Sequence, residues 1–137
     1  MLDRLYGVYG VGGCGRGVMP LVNKQLKMRN EESTDIVFID DYFAGSSANG
    51  YPVISFNDFV DVSAKEKFAT LAVADGAIRE LLAKKCEENS ISFFSVKAQN
   101  SVIYDDVKIG EGSILCSGVS LTSNIRIGRH FHANLHS

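Results

Sequence analysis

The three cysteines, Cys14, Cys86 and Cys116, stand far apart and form no CxxC pair. That excludes a disulfide framework and the ligand spacing of a zinc knuckle, and leaves them as free thiols. No apolar stretch approaches the ~18 residues a membrane-spanning helix needs. The opening MLDRLYGVYGVGG reaches glycine too early to form the apolar region of a signal peptide. Both absences point to a cytoplasmic protein without a membrane partner. A basic stripe is missing too: 14 Lys and Arg against 16 Asp and Glu, scattered along the chain, give a formal net charge of −2. Nothing here would neutralise a phosphate backbone, so nucleic acid is not expected as a partner. What remains is the composition of an ordinary globular chain, 137 residues with 45% hydrophobic and 22% charged, which predicts one domain.

Two periodicities divide the sequence. From residue 4 to about 96, short apolar runs alternate with helix-like segments, the pattern of a parallel sheet with crossover helices. Residues 5–9 read as the first strand, the glycine cluster at 10–17 as a turn, and 18–28 as a helix with Leu21, Val22 and Leu26 on one face. Residues 36–39 form the second strand, which Asp40 and Asp41 end at the edge where open α/β sheets bind ligands. A short extended piece at 51–54 precedes a weak helix at 57–62. Residues 71–74 read as a buried strand, and Ile78, Leu81, Leu82 and Cys86 follow at helical spacing up to a stop at Asn89 and Ser90. Phe93, Phe94 and Val96 close this half as a last strand.

Beyond Val102 the period becomes six. Ile103, Ile109, Leu115, Leu121, Ile127 and Ala133 recur without a slip, and Val107, Ser113, Val119, Ile125, Phe131 and Ser137 repeat at the same spacing. A hexapeptide repeat is the signature of a parallel β-helix in which each hexad forms one side of a triangular coil. The aliphatic residue points inward, and Gly110 and Gly128 are expected at corners, where lack of a Cβ permits unusual backbone angles. An antiparallel hairpin tail is the alternative, because apolar and polar residues also alternate in twos. Six hexads make about two coils, too few for a solenoid, so a truncated chain is expected.

A glycine turn after strand one, a strand ending in Asp-Asp, an apolar strand leading into a helix with arginine, and hexapeptide repeats occur here in that order. Over essentially its whole length the chain resembles bacterial sugar acyltransferases of the left-handed β-helix class with an N-terminal nucleotide-sugar-binding domain, the sialic-acid O-acetyltransferase and UDP-4-amino-sugar N-acetyltransferase family. The resemblance implies an α/β fold: a Rossmann-like parallel sheet with helices over residues 1–98, then the first coils of a left-handed parallel β-helix over 99–137. It further implies a nucleotide sugar as ligand, a UDP-sugar first among them, acetyl-CoA as co-substrate of the full-length enzyme, and a homotrimer for the full-length protein.

Gly10, Gly12, Gly13 and Gly15 stand at the family's glycine turn, with literal GxGxxG spacing at Gly10, Gly12 and Gly15. Their physical use would be close approach of backbone N–H groups to a diphosphate at a helix N-terminus. A tight strand-to-helix turn without ligand accounts for the same glycines. Asp40 and Asp41 correspond to the acidic pair beside the nucleotide sugar, where carboxylates accept hydrogen bonds from ribose hydroxyls or a uracil N–H; a solvated strand end is the alternative. Ala74, Asp75 and Arg79 match the family's strand-loop-helix pattern, with Asp75 as helix cap and Arg79 paired to an acidic neighbour as the structural alternative. Two departures stand out: Cys14 sits where the family often has histidine, and Lys97, Ala98 and Gln99 replace a His-Pro-like entry to the β-helix.

Acyl transfer to an amine or hydroxyl needs a general base, because the nucleophile sheds a proton as it attacks the thioester. The family's histidine base stands a few residues past the segment 133–137, so no catalytic residue is assigned and this chain is expected to bind a nucleotide sugar without acetylating it. His130, His132 and His136 are read as surface or subunit-contact residues rather than metal ligands. The competing function is a non-catalytic nucleotide-binding or scaffold protein. An NAD-dependent dehydrogenase fragment is a third reading of the GxGxxG spacing, with no substrate domain to support it.

Overall fold

A computed structural model describes residues 1–29, 33–103, 107–116, 119–121 and 125–133. The first two thirds of the chain build β1 (Leu2–Tyr9), α1 (Gly13–Arg29), β2 (Thr34–Ile39), β3 (Ser47–Ala48), β4 (Tyr51–Ile54), α2 (Phe56–Asp61), β5 (Ala64–Leu71), α3 (Gly76–Glu88) and β6 (Ser92–Phe93). They form one six-stranded sheet in the order β3-β4-β2-β1-β5-β6, parallel except at the β3–β4 edge. In β1, Leu5 to Tyr9 are all buried, as a central strand covered on both faces requires. Tyr6 and Val8 join Val18, Met19, Val22 and Phe38 on the α1 face, while Leu5 and Tyr9 join Phe56, Phe59 and Cys86 on the other. Between them lies Gly7, where a Cβ would come 2.8 Å from the Phe59 ring, so its absence lets α2 sit against the sheet.

The remaining strands are short: β7 (Val96–Lys97), β8 (Val102–Ile103), β9 (Val107–Ile109), β10 (Ile114–Leu115), β11 (Ser120–Leu121), β12 (Ile125–Ile127) and β13 (His132–Ala133). All pair in parallel, β7–β10–β13, β8–β11 and β9–β12. Ile114 aligns with Val96 on one side and His132 on the other, so the chain returns to the same face after three six-residue steps. Parallel pairing rules out the hairpin alternative. Leu115, Val119 and Ala133 fill the space between the three small sheets with Ile103, Val107 and Ile109 packed against them, whereas Phe131 is exposed. Ser137 lies outside the described residues.

Several expected boundaries move. Helix α1 begins at Gly13, inside the cluster expected to be a turn, because Gly10–Gly12 alone suffice to reverse the chain. The strand expected at 71–74 runs instead over Ala64–Leu71. Lys65, Glu66 and Lys67 hid it, although Lys65 and Glu66 reach across to Asp3 and Arg4 of β1 in ion pairs. Phe93 and Val96 are not one strand: β6 ends in the large sheet and β7 opens the coil. On α3 it is Ala83 and Cys86 that are buried, while Ile78 and Leu81 face solvent at 46% and 69% exposure. Gly110 has ordinary backbone angles; a Cβ there would lie 2.6 Å from the Arg129 nitrogen, so it serves the close stacking of one coil on the next. The left-handed backbone falls instead at Gly112, with φ 73°, and at His130 one coil later, with φ 56°.

Candidate functional site

Beyond the strand ends the ladder continues into the loops. Gly10 N donates to Ile39 O (2.8 Å), Ala72 N to Tyr9 O (3.0 Å) and Asp40 N to Ile54 O (3.0 Å), which aligns the carboxyl ends of β1, β2, β4 and β5 along one edge. Gly10 turns the chain there with φ 104°, a conformation that favours glycine, and a Cβ would stand 2.9 Å from Ala72 O. Gly15 in the first turn of α1 rests directly on the Gly10 carbonyl, so that a Cβ at Gly15 would overlap that oxygen. Gly12 and Gly13 differ: a Cβ on either would meet no protein atom within 4 Å.

The first intrahelical bond of α1 is Arg16 N to Gly12 O at 3.0 Å. The N–H groups of Gly13, Cys14 and Gly15 precede it and have no carbonyl one turn back. No acidic residue occupies that first turn, so the positive end of the helix dipole is not offset by its own side chains. Helix α3, at the neighbouring strand end, is closed: Asp75 caps it, Oδ1 accepting from Ala77 N (2.9 Å) and Ile78 N (3.1 Å). Arg79 folds back and donates from one guanidinium nitrogen to Val73 O and Ala74 O, both at 2.9 Å. It therefore braces the β5–α3 loop through carbonyls rather than through an acidic neighbour.

Asp40 and Asp41 point to opposite faces. Asp40 Oδ2 accepts from Val11 N (3.3 Å), and its Oδ1 accepts from Tyr42 N (3.0 Å) and Phe43 N (3.3 Å). Asp41 Oδ1 accepts from Phe56 N (2.8 Å), and its Oδ2 lies 3.6 Å from Lys85 Nζ, which sits over the Phe56 ring. Tyr9 stacks on Phe56, and its phenol is held well above its ordinary pKa by burial and by Asp41. Gly10, Gly12, Gly13, Gly15, Asp40, Asp41, Ala74, Asp75 and Arg79 thus all lie at or just past the carboxyl ends of β1, β2 and β5. Sequence reasoning passed over Tyr42 and Phe43, although two aromatic residues in a polar loop after an Asp-Asp strand end are themselves a signal.

The coil adjoins this edge. His132 Nε2 donates to Leu71 O at 2.8 Å; a carbonyl only accepts, so that nitrogen carries the hydrogen. Burial lowers the His132 pKa, and burial followed by Arg129 lowers that of His130. Both His130 ring nitrogens are buried without a hydrogen-bond partner, its backbone is left-handed at φ 56°, and its ring meets Phe93 edge to face at 4.4 Å. The His130 ring nitrogens are thereby closed to a substrate, and the lone pair of a neutral His132 lies on Nδ1. His136 lies outside the described residues, and among the described residues no group of His, Cys, Asp and Glu could hold a metal ion. The Cys14 thiol is raised by burial and by Cys116, opposed by Arg79. No helix among the described residues is long and apolar enough to cross a membrane.

No family model matches the chain. It is 36% identical over 133 residues to GDP-perosamine N-acetyltransferase of Escherichia coli O157:H7, a match covering 97% of this chain and 60% of the relative. Among solved structures it is similar to WeeI from Acinetobacter baumannii AYE, with TM-score 0.91 and 44% identity, covering 98% of this chain and 62% of that one. PerB from Caulobacter crescentus, solved in complex with CoA and GDP-perosamine, shares the fold with TM-score 0.81 at 18% identity, over 96% of this chain and 60% of that one. The chain thus spans about 60% of the length of these relatives. In sequence and in fold the chain is similar, over nearly all of its residues, to a GDP-perosamine N-acetyltransferase and to WeeI.

Proposed function

We propose that this chain is the nucleotide-sugar-binding part of an acetyl-CoA-dependent sugar N-acetyltransferase. The observation that carries the reading is the open end of α1: glycines whose missing side chains leave space the protein does not fill, before N–H groups without helical partners. A diphosphate fits that chemistry, since it accepts several N–H bonds at once and is favoured by the helix dipole. Residues 1–98 supply the binding unit, with Gly10, Gly12, Gly13 and Gly15 around the diphosphate. Asp40, Asp41, Ala74, Asp75 and Arg79 shape the adjoining strand ends. Residues 99–137 begin a left-handed parallel β-helix, drawing Val96 and Lys97 into its first coil.

The ligand is a nucleoside-diphosphate amino sugar. Sequence resemblance put a UDP-sugar first; the GDP-perosamine named for the 36% identical relative makes a GDP-linked amino sugar the arm to test before it. Acetyl-CoA supplies the acyl group as co-substrate, in a trimeric full-length protein whose general base is a histidine outside residues 1–137. The enzyme acts in the cytoplasm. Isothermal titration of the 137-residue chain with GDP-, UDP-, dTDP- and CMP-linked sugars tests the reading: micromolar binding of one class supports it, and no heat with any of them leaves the scaffold alternative. Acetyl transfer is to be assayed on the full-length gene product with the sugar that binds.

A further inference from the structure

At the carboxyl end of β2, Tyr42 is 87% exposed and Phe43 51%, with ring centroids 4.7 Å apart and the rings edge to face. Among the described residues, no other large aromatic ring of the α/β half is exposed: Tyr6, Tyr9, Phe38, Phe56, Phe59 and Phe94 are buried, and Tyr51, Phe68 and Phe93 are half-buried. Two adjacent rings in water forgo the gain of burial, and their placement at a ligand-binding sheet edge marks a contact surface. Asp40 fixes where they stand. Its Oδ1 holds the Tyr42 and Phe43 amides while its Oδ2 holds the Val11 amide, so one carboxylate ties the aromatic pair to the glycine turn. Asp41 is engaged on the opposite face by Phe56 N and Lys85. With both carboxylates so engaged, the broad apolar faces of the rings are what this edge offers to a planar ligand.

We propose that Tyr42, braced by Phe43, is the stacking platform for the base of the bound nucleotide. This rests on the reading that the diphosphate occupies the glycine turn, since the base then lies one ribose away, over the end of β2. Every nucleobase has a π-face, so stacking of this kind contributes affinity for base-bearing ligands as a class without choosing among bases.

The sequence contains no tryptophan, so tyrosine emission reports the stack. The 137-residue chain is titrated with GDP, UDP and inorganic pyrophosphate, by calorimetry and by fluorescence. Tyr42→Ala is expected to weaken GDP and UDP about tenfold, the scale of one base stack, with pyrophosphate unchanged. Tyr42→Phe keeps wild-type affinity because only the ring face is used, yet loses much of the quenching of tyrosine emission by GDP. Tyr42→Ala binding both nucleotides as tightly as wild type would overturn the platform, as would a loss that extends equally to pyrophosphate. If the wild-type chain binds pyrophosphate and neither nucleotide more tightly, the platform fails while the reading of the turn stands. If it binds none of the three, the turn reading fails and takes the platform with it.

Discussion

Four glycines in one turn do different jobs, and substitution separates them. Gly15 touches the Gly10 carbonyl, so Gly15→Ala must push β1 and α1 apart; overpacking of this kind costs about 1–3 kcal/mol, read as a lower urea midpoint. Gly13 opens a helix with empty space beside it. Gly13→Ala is therefore expected to leave stability unchanged or raise it by up to ~1 kcal/mol, while weakening nucleotide-sugar binding by placing a methyl group where the ligand lies. Undiminished binding by Gly13→Ala would show that the space is not used. The motif was legible in the sequence because glycine spacing is local. The division of labour among the four was not, because it depends on which strand end passes beneath each residue.

His130 makes the stability of the fold depend on pH. Its ring nitrogens are buried without partners, and its pKa is lowered from 6.5 by burial and then by Arg129, with Glu111 and Glu87 opposing the shift and Arg79 adding a little to it. A group that is harder to protonate when folded stabilises the fold fully above its unfolded pKa, and that contribution falls as pH drops below 6.5 toward the folded value. His132 shifts the same way for the same leading cause, so stability should decline from neutral pH into mild acid. His130→Asn tolerates the left-handed backbone and removes the titrating group, and is expected to flatten that decline in urea titrations run at stepped pH. An equally steep decline in the variant would assign it elsewhere. Three histidines near the chain's end suggested surface residues in the sequence; burial of His130 follows from Gly112, whose missing Cβ makes room for the ring.

At the scale of elements, Gln25 joins α1 to the first coil. Its Nε2 donates to Ser95 O at 2.9 Å, and its Oε1 accepts from Lys97 N at 3.1 Å, so one side chain satisfies both sides of the main chain where β6 gives way to β7. Gln25→Ala leaves a partly buried carbonyl unpartnered, a loss of about 1–3 kcal/mol. Faster amide exchange confined to Ser95 to Ala98 and the facing β10 would locate the effect. Exchange unaltered there would mean that water replaces the amide at no cost. Nothing in the sequence marked Gln25, because a polar helix residue reads as solvated until its distant partner is known. Strand β5 was misplaced for a related reason. Its charged first half pairs with β1 at the open end of the sheet, and only its apolar second half carries the sequence signal of a strand.

For the molecule as a whole, the change of period beyond Val102 was plain in the sequence, and the return of the chain to one face every three hexads follows from it. What periodicity could not reveal is that the two halves share a core. Val96 and Ile114 from the coil pack in one cluster with Tyr6, Val8, Phe38 and Phe94. Arg129 pairs with Glu87 at the end of α3 and, at 3.0 Å, with Glu111, but these side chains are about half exposed, and ion pairs screened by water add little to stability. Coupling between the halves therefore rests on the apolar seam, and unfolding should be one cooperative transition. Ile114 is 1% exposed at its centre, so Ile114→Ala is expected to cost about 2–5 kcal/mol. It should lower the melting of sheet and coil together, with calorimetric and van't Hoff enthalpies still in agreement. A variant in which the coil residues lose amide protection while β1 and β5 keep theirs would show the seam to be a contact between independent folding units.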